Sequence, residues 1–314
     1  MTATNGSIPH VIAGDGSGRL TLDHSATWRL LDIHGAILFH GFDADEEAFY
    51  DFASSFTHAF LTSPFGDRKT VNDHNELQTV TVGRLALGLH FEFGNSPLRP
   101  DLLWFYCRTP AEQGRGGETL ICDGLDIFRG LSPSTQDVLA ERRIRYTNYI
   151  PVDSFDAAFT EDPAIRKITG GNTQQWLQEH GDARIVARDE RRVTIEYVAS
   201  CLRETNDGTP YLSQNIFTEA YKKPSDAGAE DSFSSMVTWE DGEEIDVAII
   251  DEIRHAAHAV TKGIRWRPRA FVLIDNNRVL HGRRATSDPR RDILLLSSFS
   301  ERYAGRLAMM PEPA

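Results

Sequence analysis

The stretch Gly88-Leu89-His90-Phe91-Glu92-Phe93-Gly94 sets an imidazole and a carboxylate two residues apart inside an apolar run. Successive side chains of a strand point to opposite faces, so His90 and Glu92 share one face while Leu89, Phe91 and Phe93 share the other. A polar face turned inward needs something to hold its charge. The text around it also reads as strand: 80–92 (VTVGRLALGLHFE) is apolar with glycine breaks, and LLWFYC at 102–107 is too apolar to be exposed. Both are expected in one central sheet, separated by the turn-forming NSPLRPD.

Upstream, WRLLDIHGAILFHGF reads as a helix end, a glycine turn and a buried strand from Ala36 to His40. A helix in DADEEAFYDFASSF follows, capped by Asp43 or Asp45. Downstream, Gly116 and Gly117 break the chain before a strand from Glu118 to Cys122, and Asp123 is placed to cap a helix starting near Leu125. In LSPSTQDVLAERRI the cap is Ser132 or Ser134, with Val138, Leu139 and Ile144 at helical spacing. Beyond it lie a helix in NTQQWLQEHG, a strand in RRVTIEYVAS and the polar loop KKPSDAGAEDS. In IDVAIIDEIRHAAHAV, Ile245, Ala248, Ile249, Ile253 and Ala256 mark one helical face. AFVLIDNNRVLHG gives two short strands split by the turn Asp275-Asn276-Asn277, and DILLLSSF is the last strand.

These elements alternate too irregularly for a doubly wound parallel sheet, and their order suggests an antiparallel sandwich or barrel with helical additions. The fold class expected is mixed α+β, mainly β. Residues 1–26 read as a loose N-terminal arm, and 27–314 as one domain with a variable insert at about 150–240.

The 314 residues carry 46 acidic against 33 basic side chains, a net charge of −13 that argues against nucleic acid and anionic membrane surfaces as partners. No window approaches a membrane span, and MTATNGSIPH lacks a signal peptide's basic region and apolar core, so a cytoplasmic location is expected. Cys107, Cys122 and Cys201 are odd in number and sit among apolar neighbours, as small core residues do.

Two further signals join His90-x-Glu92. His281 ends the strand Arg278-Val279-Leu280-His281-Gly282, and Arg290-Arg291 precede the last strand. Two imidazoles and one carboxylate cover one face of an octahedral ion and leave positions open for a bidentate cosubstrate and O2. A guanidinium can then clamp the distant carboxylate of a dicarboxylic cosubstrate. Taken singly, a His-x-Glu is a solvated or cross-strand pair, a late histidine a surface residue, and Arg-Arg a charged turn. His255 and His258 have no adjacent third ligand and read as a polar helix face, whereas His74 is a candidate lid contact.

In that order, LHFEFGNSPLRPDLLWFYC, GGETLICDG and LIDNNRVLHGRRATSDPRRDILLL resemble the TauD/TfdA branch of the Fe(II)- and 2-oxoglutarate-dependent oxygenases, closest in its His-x-Glu form to clavaminate-synthase-like members. The resemblance spans about residues 27–300. It implies a double-stranded β-helix (jelly roll), Fe(II), 2-oxoglutarate and O2 as cofactors, and His90, Glu92 and His281 as iron ligands. It places Thr119 on 2-oxoglutarate, and with it Arg290 or Arg291, of which Arg291 is favoured because Ile293 follows it by two. A second arginine common in relatives is replaced by Leu295. Gln214 and Asn215 in YLSQNIF fall where relatives contact substrate, and are equally well an ordinary strand-to-loop turn. The expected activity is hydroxylation of an unactivated C–H in an amino acid, free or carrier-tethered, or a small natural product, with succinate and CO2 released. Desaturation or ring formation at the same site, or a non-catalytic jelly-roll binding protein, are the alternatives; oligomeric state is open.

Overall fold

The strand Leu102–Thr109 is apolar throughout because both of its faces are covered. In the computed structural model, which describes residues 8–14, 23–57, 59–63, 68–74, 76–81, 83–179, 183–217 and 233–300, its side chains divide between two cores. Leu102, Trp104 and Tyr106 pack with Leu31, Phe49 and Ala53 of the helices His24–His34 and Glu46–Ser54. Leu103, Phe105 and Cys107 pack the other way, with Ile121 and Val279 of a second sheet. Strict alternation sorts the residues, and burial on both sides removes any need for a polar face.

The first sheet runs His10–Ala13, Ala36–His40, Phe271–Asp275, Leu102–Thr109, Asp292–Phe299, Ala59–Leu61, with Gln78–Thr79 also paired to Asp292–Phe299. Its pairs are antiparallel apart from His10–Ala13 beside Ala36–His40. The second sheet, antiparallel, runs Lys262–Gly263, Thr119–Asp123, Val279–Arg283, Leu87–His90. The expectation of one central sheet for 80–92 and 102–107 is therefore corrected: these segments lie in different, facing sheets. Apolar patterning shows that a strand is buried but not against what.

Caps sit where the side chains call for them. Asp45 accepts from Ala48 N and Asp123 from Leu125 N, and Ser132 is the cap of Pro133–Glu141. That helix stops at Glu141, so Ile144 is no helical residue but belongs to the strand Arg143–Pro151. There Ile144, Tyr146, Asn148 and Ile150 alternate inward. This strand joins Ser234–Trp239, Arg192–Ser200 and Ala183–Arg188 in a third antiparallel sheet. The helix Val247–Val260, capped by Asp246, buries Ile253 and Ala257. Asp123 also takes a paired contact from buried Arg278, whose third nitrogen reaches Asp32 O, tying the second sheet to the first helix. The three thiols are buried and unbridged, and burial pushes each up to about 12. The chain is mixed α and β with strands predominating. Among the described residues no helix is long and apolar enough to cross a membrane. Most of the expected arm, and the loop KKPSDAGAEDS, lie outside the described residues.

Candidate metal centre

Sheet register assembles the site. His281 pairs directly with His90 on one side and Ile121 on the other, while Arg283 pairs with Thr119. Arg283 lies two residues beyond His281 and so shares its face. The register shifts between His281 and Arg283, at Gly282, where a Cβ would lie 2.8 Å from Leu87 O; glycine admits that close approach. His90, His281, Thr119, Arg283, Arg291 and Arg68 all line one cavity, and Leu295 adds apolar wall.

The strand ends at His90, and Glu92 lies just past it in a turn rather than within the strand. Phe93 adopts the left-handed region (φ 51°), and Gly94 N donates to Phe91 O at 3.1 Å. The carboxylate still reaches the imidazoles: Glu92 Oε2 is 3.8 Å from His90 Nε2 and 3.5 Å from His281 Nε2. One ligand atom from each of the three lies within 4.8 Å of the others, and they are the single such group among the described residues.

The donor chemistry fits a divalent ion. His90 Nδ1 contacts Gly88 O at 2.8 Å, which places its proton on Nδ1 and leaves the Nε2 lone pair toward Glu92. Burial, then the neighbouring His90, pushes the His281 imidazole down to about 4 against the pull of Glu92, so it is neutral and able to ligate. Burial alone would raise Glu92, but the Arg68 guanidinium and the two imidazoles outweigh it and hold the carboxyl well below its usual range. Glu92 Oε2 is buried without a hydrogen-bond partner, as is His281 Nδ1. An anionic oxygen so placed is a donor that a divalent cation would satisfy.

At the other part of the cavity, Arg291 donates from Nε to Gly117 O and from Nη2 to Thr119 Oγ1 at 3.4 Å. Gly117 has φ +83° and a Cβ there would meet Arg291 Cδ at 2.7 Å, so only glycine lets the side chain pass. Thr119 Oγ1 also accepts from Trp266 Nε1 at 3.0 Å, leaving the threonine O–H to donate into the cavity. No described carboxylate forms an ion pair with Arg291, and burial, then Arg283, pushes it down to about 10. A buried guanidinium in that state suits an incoming carboxylate.

Arg290 does not join this group. It is exposed and ion-paired with Glu112 and Asp288, as an ordinary charged turn. Asn215 is buried but committed to the ligand turn: Phe91 N donates to its Oδ1 at 2.7 Å and its Nδ2 donates to Phe91 O at 3.0 Å. Gln214 Oε1 accepts from Tyr146 OH at 3.3 Å. Neither lines the cavity, so the expected substrate contact is not what their placement supports. His74 stacks on Tyr50, centroids 5.0 Å apart, and His255 is exposed. Arg68 and Arg283, which line the cavity, and Asn276, which holds the Glu92 backbone, are residues at this site that the sequence does not signal. Asn276 reads in the sequence only as a turn former, yet its side chain bonds both the N–H and the C=O of Glu92, at 2.9 and 3.0 Å.

The family model for taurine catabolism dioxygenase TauD, TfdA family, matches residues 16–297. The chain belongs to this family. A 3-((Z)-2-isocyanoethenyl)-1H-indole synthase from Fischerella ambigua is 23% identical over 195 residues, covering 62% of this chain and only 56% of that protein. PvcB from Pseudomonas aeruginosa superposes with a TM-score of 0.55 at 16% identity, covering 92% of this chain and 84% of its own. A second structure describes PvcB as an Fe, alpha-ketoglutarate dependent oxygenase from an isonitrile synthetic pathway. AAD-2 in complex with Mn(II) and N-oxalylglycine gives a TM-score of 0.55 at 14% identity, covering 95% and 96% of the two chains. At these identities the structural likeness speaks for the fold.

Proposed function

We propose that this protein is an Fe(II)- and 2-oxoglutarate-dependent oxygenase acting on a small molecule. In this reading His90, Glu92 and His281 hold the iron, and Thr119 and Arg291 hold the far carboxylate of 2-oxoglutarate. The observation that carries it is the buried, unpartnered Glu92 Oε2 facing two imidazole Nε2 atoms. Fe(II) held there supplies the O2 chemistry, coupled to conversion of 2-oxoglutarate to succinate and CO2. The protein's part is to fix the ligands, neutralise the cosubstrate charge and line the cavity with Phe105 and Leu295. The two facing sheets are read as a double-stranded β-helix, in one cytoplasmic oxygenase domain over 27–314, with the insert at about 150–240 supplying three of the third sheet's strands, Ala183–Arg188, Arg192–Ser200 and Ser234–Trp239.

Hydroxylation of an amino acid, free or carrier-tethered, or of a small natural product is the first reading of the reaction. Desaturation is the second, favoured by the ethenyl group in the name of the Fischerella relative's product. Product mass distinguishes them, through gain of one oxygen atom or loss of two hydrogens. The reading itself is tested by adding Fe(II) and 2-oxoglutarate without air: a visible charge-transfer band is expected, and a colourless mixture overturns it. Succinate release across amino acids and acidic small molecules then identifies the substrate.

The arginines separate cleanly by experiment. Arg291→Gln should raise the 2-oxoglutarate requirement about ten- to hundred-fold, the loss of a charge-assisted bond. Arg290→Gln should leave it unchanged, since Arg290 is exposed, pairs with Glu112 and Asp288, and does not line the cavity. Titration of the charge-transfer band measures both, and equal effects would contradict the assignment.

A further inference from the structure

Arg68 belongs to no part of the ligand motif, yet its Nη2 donates to Glu92 Oε1 at 2.8 Å, the two side chains being 9% and 8% exposed. It opens a hairpin that folds back through Gln78–Thr79. Lys69 N donates to Thr79 Oγ1 at 3.0 Å, Thr79 N to Lys69 O at 2.8 Å, and Val71 N to Leu77 O at 2.8 Å. One end of the hairpin is pinned to the last strand, where Thr79 and Gln78 pair with Leu294 and Leu295. The other is pinned to the helix Glu46–Ser54, whose Tyr50 stacks on His74 and donates to Glu76. Arg68 thus sits at the base of a hairpin held at its tip and along its return arm, and Lys69 beside it is bonded to that arm, a rigid mount for a residue that holds a ligand.

The two oxygens of Glu92 are consequently unequal. Oε1 is occupied by a charge-assisted bond, and Oε2 alone faces the imidazoles. A carboxylate with both oxygens open can take two positions on an octahedral ion, and one with an oxygen engaged takes one. Three protein positions leave three more, and a chelating cosubstrate with O2 needs them all. We infer that Arg68 is a positioning residue that keeps Glu92 a one-oxygen ligand and so preserves the position the cosubstrate chelate requires. The inference rests on the iron reading proposed above.

The test is cosubstrate chelation by anaerobic, Fe(II)-saturated protein, followed by the charge-transfer band. Arg68→Met should bind 2-oxoglutarate about tenfold or more weakly, with an altered band, because the freed oxygen competes for a position on the metal. Metal affinity, from Mn(II) titration followed by electron paramagnetic resonance, should fall by less than cosubstrate affinity. Arg68→Lys should recover most of the loss, since an ammonium can donate to the same oxygen. Arg68→Gln, with a neutral donor, should fall between them and carries the same test if the methionine variant does not fold. Wild-type affinity and band in the methionine or glutamine variant overturn the inference. A wild-type protein that gives no band overturns instead the iron reading beneath it.

Discussion

His281→Ala should leave the protein folded and unable to retain iron. His281 is 6% exposed, opposite His90 in the sheet and with its ring centroid 5.3 Å from that of Phe105, so its only distinctive polar task is at Nε2. Loss of a partner outside the ligand shell of a metal site lowers affinity by about 10–100-fold, and loss of a ligand should exceed that. The folding cost should be small, about 1 kcal/mol, because the imidazole Nδ1 is buried without a partner and its removal relieves a desolvated group as it opens a cavity. Metal titration beside thermal unfolding checks both halves. Retention of wild-type metal affinity would remove His281 from the centre. Glu92→Ala is a less clean probe, since it strips the carboxylate from buried Arg68 and leaves that charge in a low dielectric.

The parts legible in the sequence were those with a local physical cause. Asp45, Asp123 and Ser132 each cap the helix they precede, and the strands Ala36–His40, Phe271–Asp275 and Asp292–Phe299 are announced by unbroken apolar runs. The grouping of His90, Glu92 and His281 was expected from the His-x-Glu triplet, the late histidine and the family resemblance together; alternation is not its cause, because the strand ends at His90 and Glu92 lies in a turn. What stayed hidden was determined at long range. Arg68 meets Glu92 across 24 residues and Asn276 meets it across 184, and no spacing rule reaches that far. Ile144 was hidden otherwise: RIRYTNYIP carries a clean alternation that an adjoining helical pattern obscured. Asn215 was the right kind of residue with a different employment, since an amide pairs with a backbone as readily as with a ligand.

The ligand turn has a support of measurable size. The segment 91–92 has left the sheet and cannot satisfy its peptides through a ladder, so two asparagine side chains do it, Asn215 at Phe91 and Asn276 at Glu92. Asn276 is fully buried and also donates to Pro100 O at 2.8 Å, so one amide serves three buried backbone groups. Asn276→Ala leaves all three unsatisfied, at about 1–3 kcal/mol each, and should destabilise the fold by at least about 3 kcal/mol. Asn276→Asp separates the roles within the amide. Its carboxylate can still accept from Glu92 N but donates to neither carbonyl, and it places a second buried negative charge next to Glu92. The aspartate variant should therefore be no more stable than the alanine one, although it restores one hydrogen bond and nearly all of the volume. Denaturant unfolding of both variants decides it. If the aspartate variant is as stable as the wild type, the two donor bonds to Glu92 O and Pro100 O contribute nothing, and the turn is held by packing alone.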